Sequence, residues 1–419
     1  MINSGDSKAA RFCGKVILTS ATWSLSGVNT LSANMVRGFR ERGVDAGILL
    51  TRPEFQEDTP LAPFADVPLM KLPVGVFSTW KERCHALLRY LEDQAPCIYI
   101  PNFDWGHSCI SPLLSPRVLI VGILHSEEWI HFEHAARLGR YWNAIVAVSE
   151  AIAGRLAQLH PEFDGRIFAI PNGVPVPSFP PRRSSSPGSP LEIIYTGRLE
   201  QYQKRVLDLP EIAEALDRVH VPFRMTIAGD GVDRKRLEEL SRRFIVRGSM
   251  RFTGSVDNRR ILELLAEHDV FLLTSEFEGM PISVLEAMAH GCVPVVTDVR
   301  SGIPELIDDG INGFRVPVGD IGAFADRLRI LCHDVTRRKD MGLNAHRKVS
   351  EGGFRIQDTV AHYIDVFDHV IRDVEEGVFV RPQGKMTKPL GISSWNYRLP
   401  DSLARMGIIA RHGLRKLTR

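Results

Sequence analysis

The sequence predicts an α/β protein built from two doubly wound parallel sheets. Three observations carry that expectation. Short, almost continuously apolar runs alternate with helix-like amphipathic stretches along most of the chain, as strands buried on both faces require. The alternation stops once, at "PSFPPRRSSSPGSP" (177–190), where Pro, Ser and Gly cannot propagate helix or sheet, and then restarts. The length, 419 residues, also suits two or three domains rather than one core.

In the first half, "KVILTS" (Lys15–Ser20) reads as a buried strand. A loop carrying Gly27 then leads into a helix, and "DAGILLT" is a second strand, which makes a βαβ unit. "CIYIPN", "RVLIVGILH" and "AIVAVS" continue the strands. After the break, "EIIYTGR", "RMTIAGDG", "MRFTGSV", "VFLLTS", "CVPVVT" and "GFRVPVG" are strands. They are separated by helices such as "DRKRLEELSRRF" and "NRRILELLAEH", and "RIQDTVAHYIDVFDHVIRDVEE" is a last, longer helix. The expected organisation is an N-terminal domain over 1–176, a linker over 177–190 and a C-terminal domain over 191–354. A last helix over 355–376 and a basic tail over 377–419 follow. Ligands are expected in the cleft at the carboxyl ends of the strands.

Composition narrows the function. With 44% hydrophobic, 24% charged and 8% aromatic residues the chain is ordinary globular protein, neither disordered nor fibrous nor membrane-spanning. A formal charge of +2 argues against a general polyanion binder, and no nucleic-acid partner is expected. Six scattered cysteines contain no CxxC pair, so neither a disulfide framework nor a metal site is expected, and a reducing, cytoplasmic location follows. The N-terminus lacks the apolar core of a cleaved leader.

Three features of the second half fall after strands. Arg198 and Lys204, in "TGRLEQYQKR", are two cations at a loop beside a helix start. That pair suits a diphosphate, with a solvated basic loop as the plain alternative. Gly229, in "AGDG", permits a tight turn and a close backbone approach. The third feature is "SEFEGMPISVLEAMAHG" (275–291), where Glu278 precedes a turn and Pro281 suits the first helical position. Glu286 lies about one turn into the helix, and Gly291 ends it. Amides near Met280 to Val284 can meet an anion at the helix mouth, and the two carboxylates bracket it. A nucleotide-sugar has that layout, with a diphosphate between two diols. The plain alternative is a turn Glu and a second Glu paired with a nearby cation.

These motifs resemble the retaining GT-B glycosyltransferases of family 4, marked by Glu-x7-Glu. The resemblance rests on "EFEGMPISVLEAMAHGCVPVVTDVRSGIPELIDDGINGFRVP", "GRLEQYQKR", "IAGDG" and "IPNGVPV". It implies two Rossmann-like domains facing across a cleft, with the last helix, 355–376, crossing over to pack on the first domain. It also implies cofactor-independent and metal-independent transfer of a hexosyl unit from a UDP- or GDP-sugar, with retention, in polysaccharide or glycolipid synthesis. By resemblance, Arg198 and Lys204 bind the diphosphate, Glu278 holds donor-sugar hydroxyls and Glu286 takes the ribose. Gly279, Met280, Pro281 and Ile282 line the sugar and phosphate. His125 corresponds to the histidine facing the donor sugar. Glu127 and Glu128 read as loop acids or acceptor contacts. The first loop, "LSGVNT", has Gly27 where the family often carries a glycine pair, so phosphate contact there is less specified. Two other readings stay open: a GT-B nucleotide-sugar epimerase, or a non-catalytic partner subunit that keeps the fold.

From Arg381 to Arg419 there are nine Lys/Arg and one acid, a local +8 that leaves −6 elsewhere. "SLARMGIIARHGLRKLTR" can form a basic amphipathic helix on an anionic membrane, aided by Trp395 and Tyr397, or remain a solvated tail. The first reading makes residues 389–419 a peripheral anchor at the inner membrane face and points to a glycan or lipid-linked acceptor.

Overall fold

The computed structural model describes residues 14–23, 26–52, 65–102, 104–181 and 188–390, with Ser402 and Met406 beyond them. Two all-parallel sheets organise these residues. The first contains β1 (Lys15–Ser20), β2 (Ala46–Leu50), β3 (Leu69–Lys71), β4 (Cys97–Ile100), β5 (Val118–Leu124), β6 (Ala144–Ala147) and β7 (Ile167–Ala169). Their order across the sheet is β3-β2-β1-β4-β5-β6-β7. The second contains β8 (Leu191–Thr196), β9 (Phe223–Ala228), β10 (Met250–Gly254), β11 (Val270–Leu273), β12 (Val293–Thr297) and β13 (Phe314–Val316), in the order β10-β9-β8-β11-β12-β13. In both sheets the winding reverses beside the first strand, and the crevice outside that reversal is where such folds take ligands.

Burial explains the near-continuous apolar runs. Every residue of β2, β4, β5, β6, β11 and β12 is buried, because helices cover both faces. β3 escapes sequence reading because it is a three-residue edge strand, partly exposed and too short to show a period. The single charged helix expected over "DRKRLEELSRRF" is two helices, Arg234–Leu240 and Arg242–Arg247. They part at Ser241, whose φ of −88° and ψ of −1° sit at the edge of the helical well.

The helix Ile356–Glu375 returns to the first domain and packs on the helix Gly27–Glu41. Phe39 meets Tyr363 edge-on with ring centroids 6.2 Å apart, and Phe367 at 5.5 Å. Thr359 Oγ1 donates to Pro171 O at 2.9 Å, and Val174 pairs with Arg355 in an isolated bridge.

The opening of the expected basic tail is corrected. Arg381 is buried, and its guanidinium donates to the carbonyls of Tyr141, Leu114, Ser115 and Val118 and to Asn143 Oδ1, at 2.6–3.1 Å. Thr387 N donates to Cys109 O. Residues 377–390 therefore strap the first domain, because five acceptors clustered at one sheet end match the five donors of an arginine. Of the amphipathic stretch, all but Ser402 and Met406 lie outside the described residues, as do Trp395 and Tyr397. Among the described residues no helix is long and apolar enough to cross a membrane. The five described cysteines are buried and free of disulfides.

Candidate active site

The site gathers where β8 and β11 are neighbours, at their carboxyl ends. β8 ends at Thr196, and Gly197 and Arg198 follow. The Arg198 carbonyl accepts from Tyr195 Oη at 2.8 Å. The Arg198 side chain is exposed and held loosely, donating to Gln203 Oε1 (2.6 Å) and Glu200 Oε2 (3.2 Å). Lys204 ends the short helix Gln201–Lys204 and turns inward. Its Nζ lies 2.6 Å from Glu278 Oε1; Glu278 is buried and Lys204 partly buried. Ser275 Oγ donates to the same oxygen at 2.6 Å. Thr274 Oγ1 donates to Lys204 O, so the loops after β8 and β11 are tied together.

Gly229, at the end of β9, has φ +151°, and a Cβ there would lie 1.9 Å from Gly197 O. Its glycine is needed for the close approach of two backbones at neighbouring strand ends.

Gly279 crosses to the other domain. A Cβ on it would stand 2.0 Å from His125 O, and Ser126 and Gly279 form an antiparallel bridge. Glu127 N donates to Glu278 O at 3.3 Å alongside it. Met280 O accepts from Asn172 Nδ2 at 2.8 Å, which ties the end of the first domain to the same turn. Pro281 is the N-cap of the helix Ile282–Ala289, with ψ 114°, so the expectation that it occupies the first helical position is corrected. The ψ of Pro281 is extended rather than helical, so the turn runs one residue longer before the helix starts, and the Gly279 carbonyl within it is held by Gly302 N at 2.6 Å. Pro281 provides no side-chain cap, and the first amides of the helix have no partner within it. Ile282 touches Gly27 across the cleft at 3.5 Å, measured to a Cβ placed on the glycine. Each is the first residue of its helix, so two positive helix ends converge there.

Glu286 is buried one turn further on. Asn258 Nδ2, at the start of the helix Asn258–Glu267, donates to its Oε1 at 2.7 Å. Burial still dominates and pushes the Glu286 carboxyl up to about 7, with Asn258 opposing. His125 closes the site from the first domain. Its Nε2 lies 2.7 Å from Asn102 Oδ1, and Asn102 donates its amide to Ser32 Oγ at 2.9 Å. The network therefore assigns the proton to Nε2. Burial, reinforced by His131, pulls His125 down to about 3, so the ring is neutral near neutral pH.

Glu127 is no ordinary loop acid. Its side chain is buried, Oε2 takes Arg155 Nη1 at 2.5 Å, and Oε1 has no hydrogen-bond partner. Sequence reading also missed Asn258, Ser275, Gln203, Asn172 and Asn102, because single uncharged polar residues in loops and short or terminal helical turns carry no periodic signal. Among the described residues no group of three or more His, Cys, Asp or Glu is placed to hold a metal ion. A 780 Å³ cavity lined by Arg224, Arg251, His268 and Asp269 opens at the opposite, amino ends of β8–β10 and shares none of these residues.

Residues 180–348 match the family Glycosyl transferases group 1. Over 200 residues the chain is 34% identical to the putative colanic acid biosynthesis glycosyltransferase WcaL of Salmonella typhimurium, covering 46% of this chain and 48% of that protein. It is 31% identical over 166 residues to the lipopolysaccharide 1,6-galactosyltransferase of the same organism, covering 39% and 44%. The chain thus spans about half the length of the curated relatives it matches. Among solved structures, TarM of S. aureus superposes with a TM-score of 0.69 at 12% identity, covering 86% of this chain and 99% of that one. HepE of Anabaena, in complex with UDP and glucose, gives 0.68 at 16% identity, covering 85% and 99%. The fold is GT-B: two parallel-sheet α/β domains facing across a cleft.

Proposed function

We propose that the chain transfers a hexosyl unit from a UDP- or GDP-sugar to a hydroxyl of a glycan or lipid-linked acceptor, with retention at the anomeric carbon. One observation carries this reading. Two buried carboxylates, Glu278 and Glu286, stand on either side of an uncapped helix start, with Lys204 beside the first. That set has acceptors for two diols and positive charge for the diphosphate between them. The match to glycosyltransferase relatives and the UDP and glucose bound by HepE support it.

Donor binding requires an exchange of partners. Lys204 now neutralises Glu278; a diphosphate arriving at the helix mouth draws the ammonium away and frees Glu278 to accept sugar hydroxyls. As the anomeric C–O bond breaks, negative charge develops on the diphosphate, where Arg198, Lys204 and the two helix ends stabilise it. The acceptor oxygen bonds to the anomeric carbon from the same face, and its proton passes to the leaving phosphate oxygen. Neutral His125 lines the donor-sugar end as a hydrogen-bonding group. The transfer is proposed as metal-independent. Residues 389–419 are proposed to hold the enzyme on an anionic membrane, and a chain cut after Lys388 should lose binding to anionic liposomes.

The test is a thermal-shift panel of UDP-, GDP- and ADP-sugars, followed by NMR of the products. A stabilising donor and an α-linked product from an α-linked donor are expected. No shift with any nucleotide-sugar, or an inverted product, overturns the reading.

A further inference from the structure

Two large aromatic side chains stay exposed beside the most buried part of the site. Tyr202 is 72% exposed and packs edge-on against Phe277 with centroids 5.4 Å apart. Phe277 immediately precedes Glu278, and Tyr202 shares a four-residue helix with Lys204. Trp129, in the other domain, is 62% exposed and begins the helix Trp129–Leu138. The antiparallel bridge between Ser126 and Gly279 relates the two places. With Glu127 donating to Glu278, the chain after Glu127 leaves the junction on the side from which Phe277 enters it. Trp129 and the Tyr202–Phe277 pair therefore rim the same end of the cleft, one from each domain.

A soluble chain exposes large aromatic faces beside a polar cleft where something covers them. Position and charge select the class of occupant. The rim lies at the Glu278 end, away from Glu286 and Asn258, and thus on the far side of the donor sugar from its nucleoside. The nearest acids are paired, Glu127 with Arg155 and Glu276 with Arg205, so these groups give the rim no net charge to draw a phosphate or an anionic headgroup. Flat apolar faces beside carboxylate acceptors suit a neutral sugar ring, whose C–H face is apolar and whose edge is lined with hydroxyl donors.

We propose that Trp129, Tyr202 and Phe277 form an acceptor subsite that stacks a neutral saccharide ring. The acceptor is then a glycan at its reacting end, whatever carries it. This rests on the transferase reading for its role and on the aromatic rim for its ligand.

The experiment is saturation-transfer NMR on the full chain with methyl α- and β-glycosides of glucose, galactose, mannose and N-acetylglucosamine. At least one glycoside should receive saturation at its ring C–H protons. The signal should fall by at least ~5-fold in the Trp129→Ala/Tyr202→Ala double variant and persist in Tyr202→Phe, which keeps the ring. A signal unchanged in the double variant, or none with any glycoside on the wild type, overturns the subsite. The nucleotide-sugar panel on the same protein separates the two claims. Glycoside signal without a donor shift upholds the saccharide subsite and removes the transferase. Donor shift without glycoside signal does the reverse.

Discussion

Replacing Glu286 with Gln tests the donor ruler through pH. Burial pushes the Glu286 carboxyl up to about 7, so the free protein changes its charge near neutrality. Only the carboxylate accepts hydrogen bonds from both hydroxyls of a diol; the protonated acid donates one instead. Binding is therefore linked to ionisation, and donor affinity rises with pH through about 7. With a single such group, about one molecule in eleven is ionised one unit below and about ten in eleven one unit above, so Kd should drop about tenfold from pH ~6 to ~8. The assay is isothermal titration calorimetry with the nucleotide-sugar selected by thermal shift, whose diphosphate diester does not titrate in this window. His125 cannot supply the slope, because it stays neutral down to about 3. Glu286→Gln should abolish the slope and weaken binding at the upper pH by roughly 10- to 100-fold, the worth of a hydrogen bond to a charged group. The same substitution should stabilise the free protein. A carboxyl whose folded pKa is raised favours the fold below its unfolded value near 4.5 and loses that contribution as pH rises through about 7. Above that, the charge costs about 3 kcal/mol, which the amide avoids. A wild-type Kd that does not change with pH, or a slope that survives in Glu286→Gln, refutes the reasoning.

Other outcomes follow from the same geometry. Gly279→Ala drives a Cβ into the His125 carbonyl 2.0 Å away, a backbone atom that cannot rotate aside. It should lower transfer by at least ~100-fold, since a shift of about 1 Å at the junction misplaces the reacting groups, whereas Gly27→Ala, with 3.5 Å of room, should be mild in circular dichroism and activity. In a double-mutant cycle read by urea unfolding, Lys204→Ala and Glu278→Ala should couple by at least ~1 kcal/mol, because the first leaves buried Glu278 and the second partly buried Lys204 without its charge partner. Both single variants should fail to bind donor, and additive effects would refute the pair. Arg381→Ala should cost about 3 kcal/mol by stranding several buried acceptors, and Arg381→Lys, with three donors for five acceptors, should recover little of it in thermal unfolding. Burial holds His125 and His134 at about 3 and His131 at about 4 in the fold. Depressed folded values mean that stability is lost as pH falls below about 6.5, where the unfolded chain takes up the protons. The slope should reach up to ~4 kcal/mol per pH unit from three imidazoles, checked by urea unfolding between pH ~7 and ~4.5.

Most of the strands and helices were legible in the pattern of the chain alone. Strands buried on both faces must be apolar throughout, so "RVLIVGILH" and "VFLLTS" announce themselves. Glu278 and Glu286 were also legible as charges in an apolar segment, with Pro281 and Gly291 bounding the helix between them to within a residue. Their partners were not. Lys204 is 74 positions from Glu278, and Asn258 is 28 from Glu286; each pair meets because the sheet places β8 beside β11 and sets the helix after β10 against the helix after β11. Local pattern carries no record of strand order, so it could not show that Glu278 neutralises Lys204. Nor could it show that Gly279 is required by a carbonyl of the opposite domain, or that Arg381 belongs to the first domain rather than to a free tail. A side chain's local surroundings are written in its neighbours along the chain. Its partner across a cleft is decided only when two sheets, each wound outward from its first strand, bring their carboxyl ends face to face.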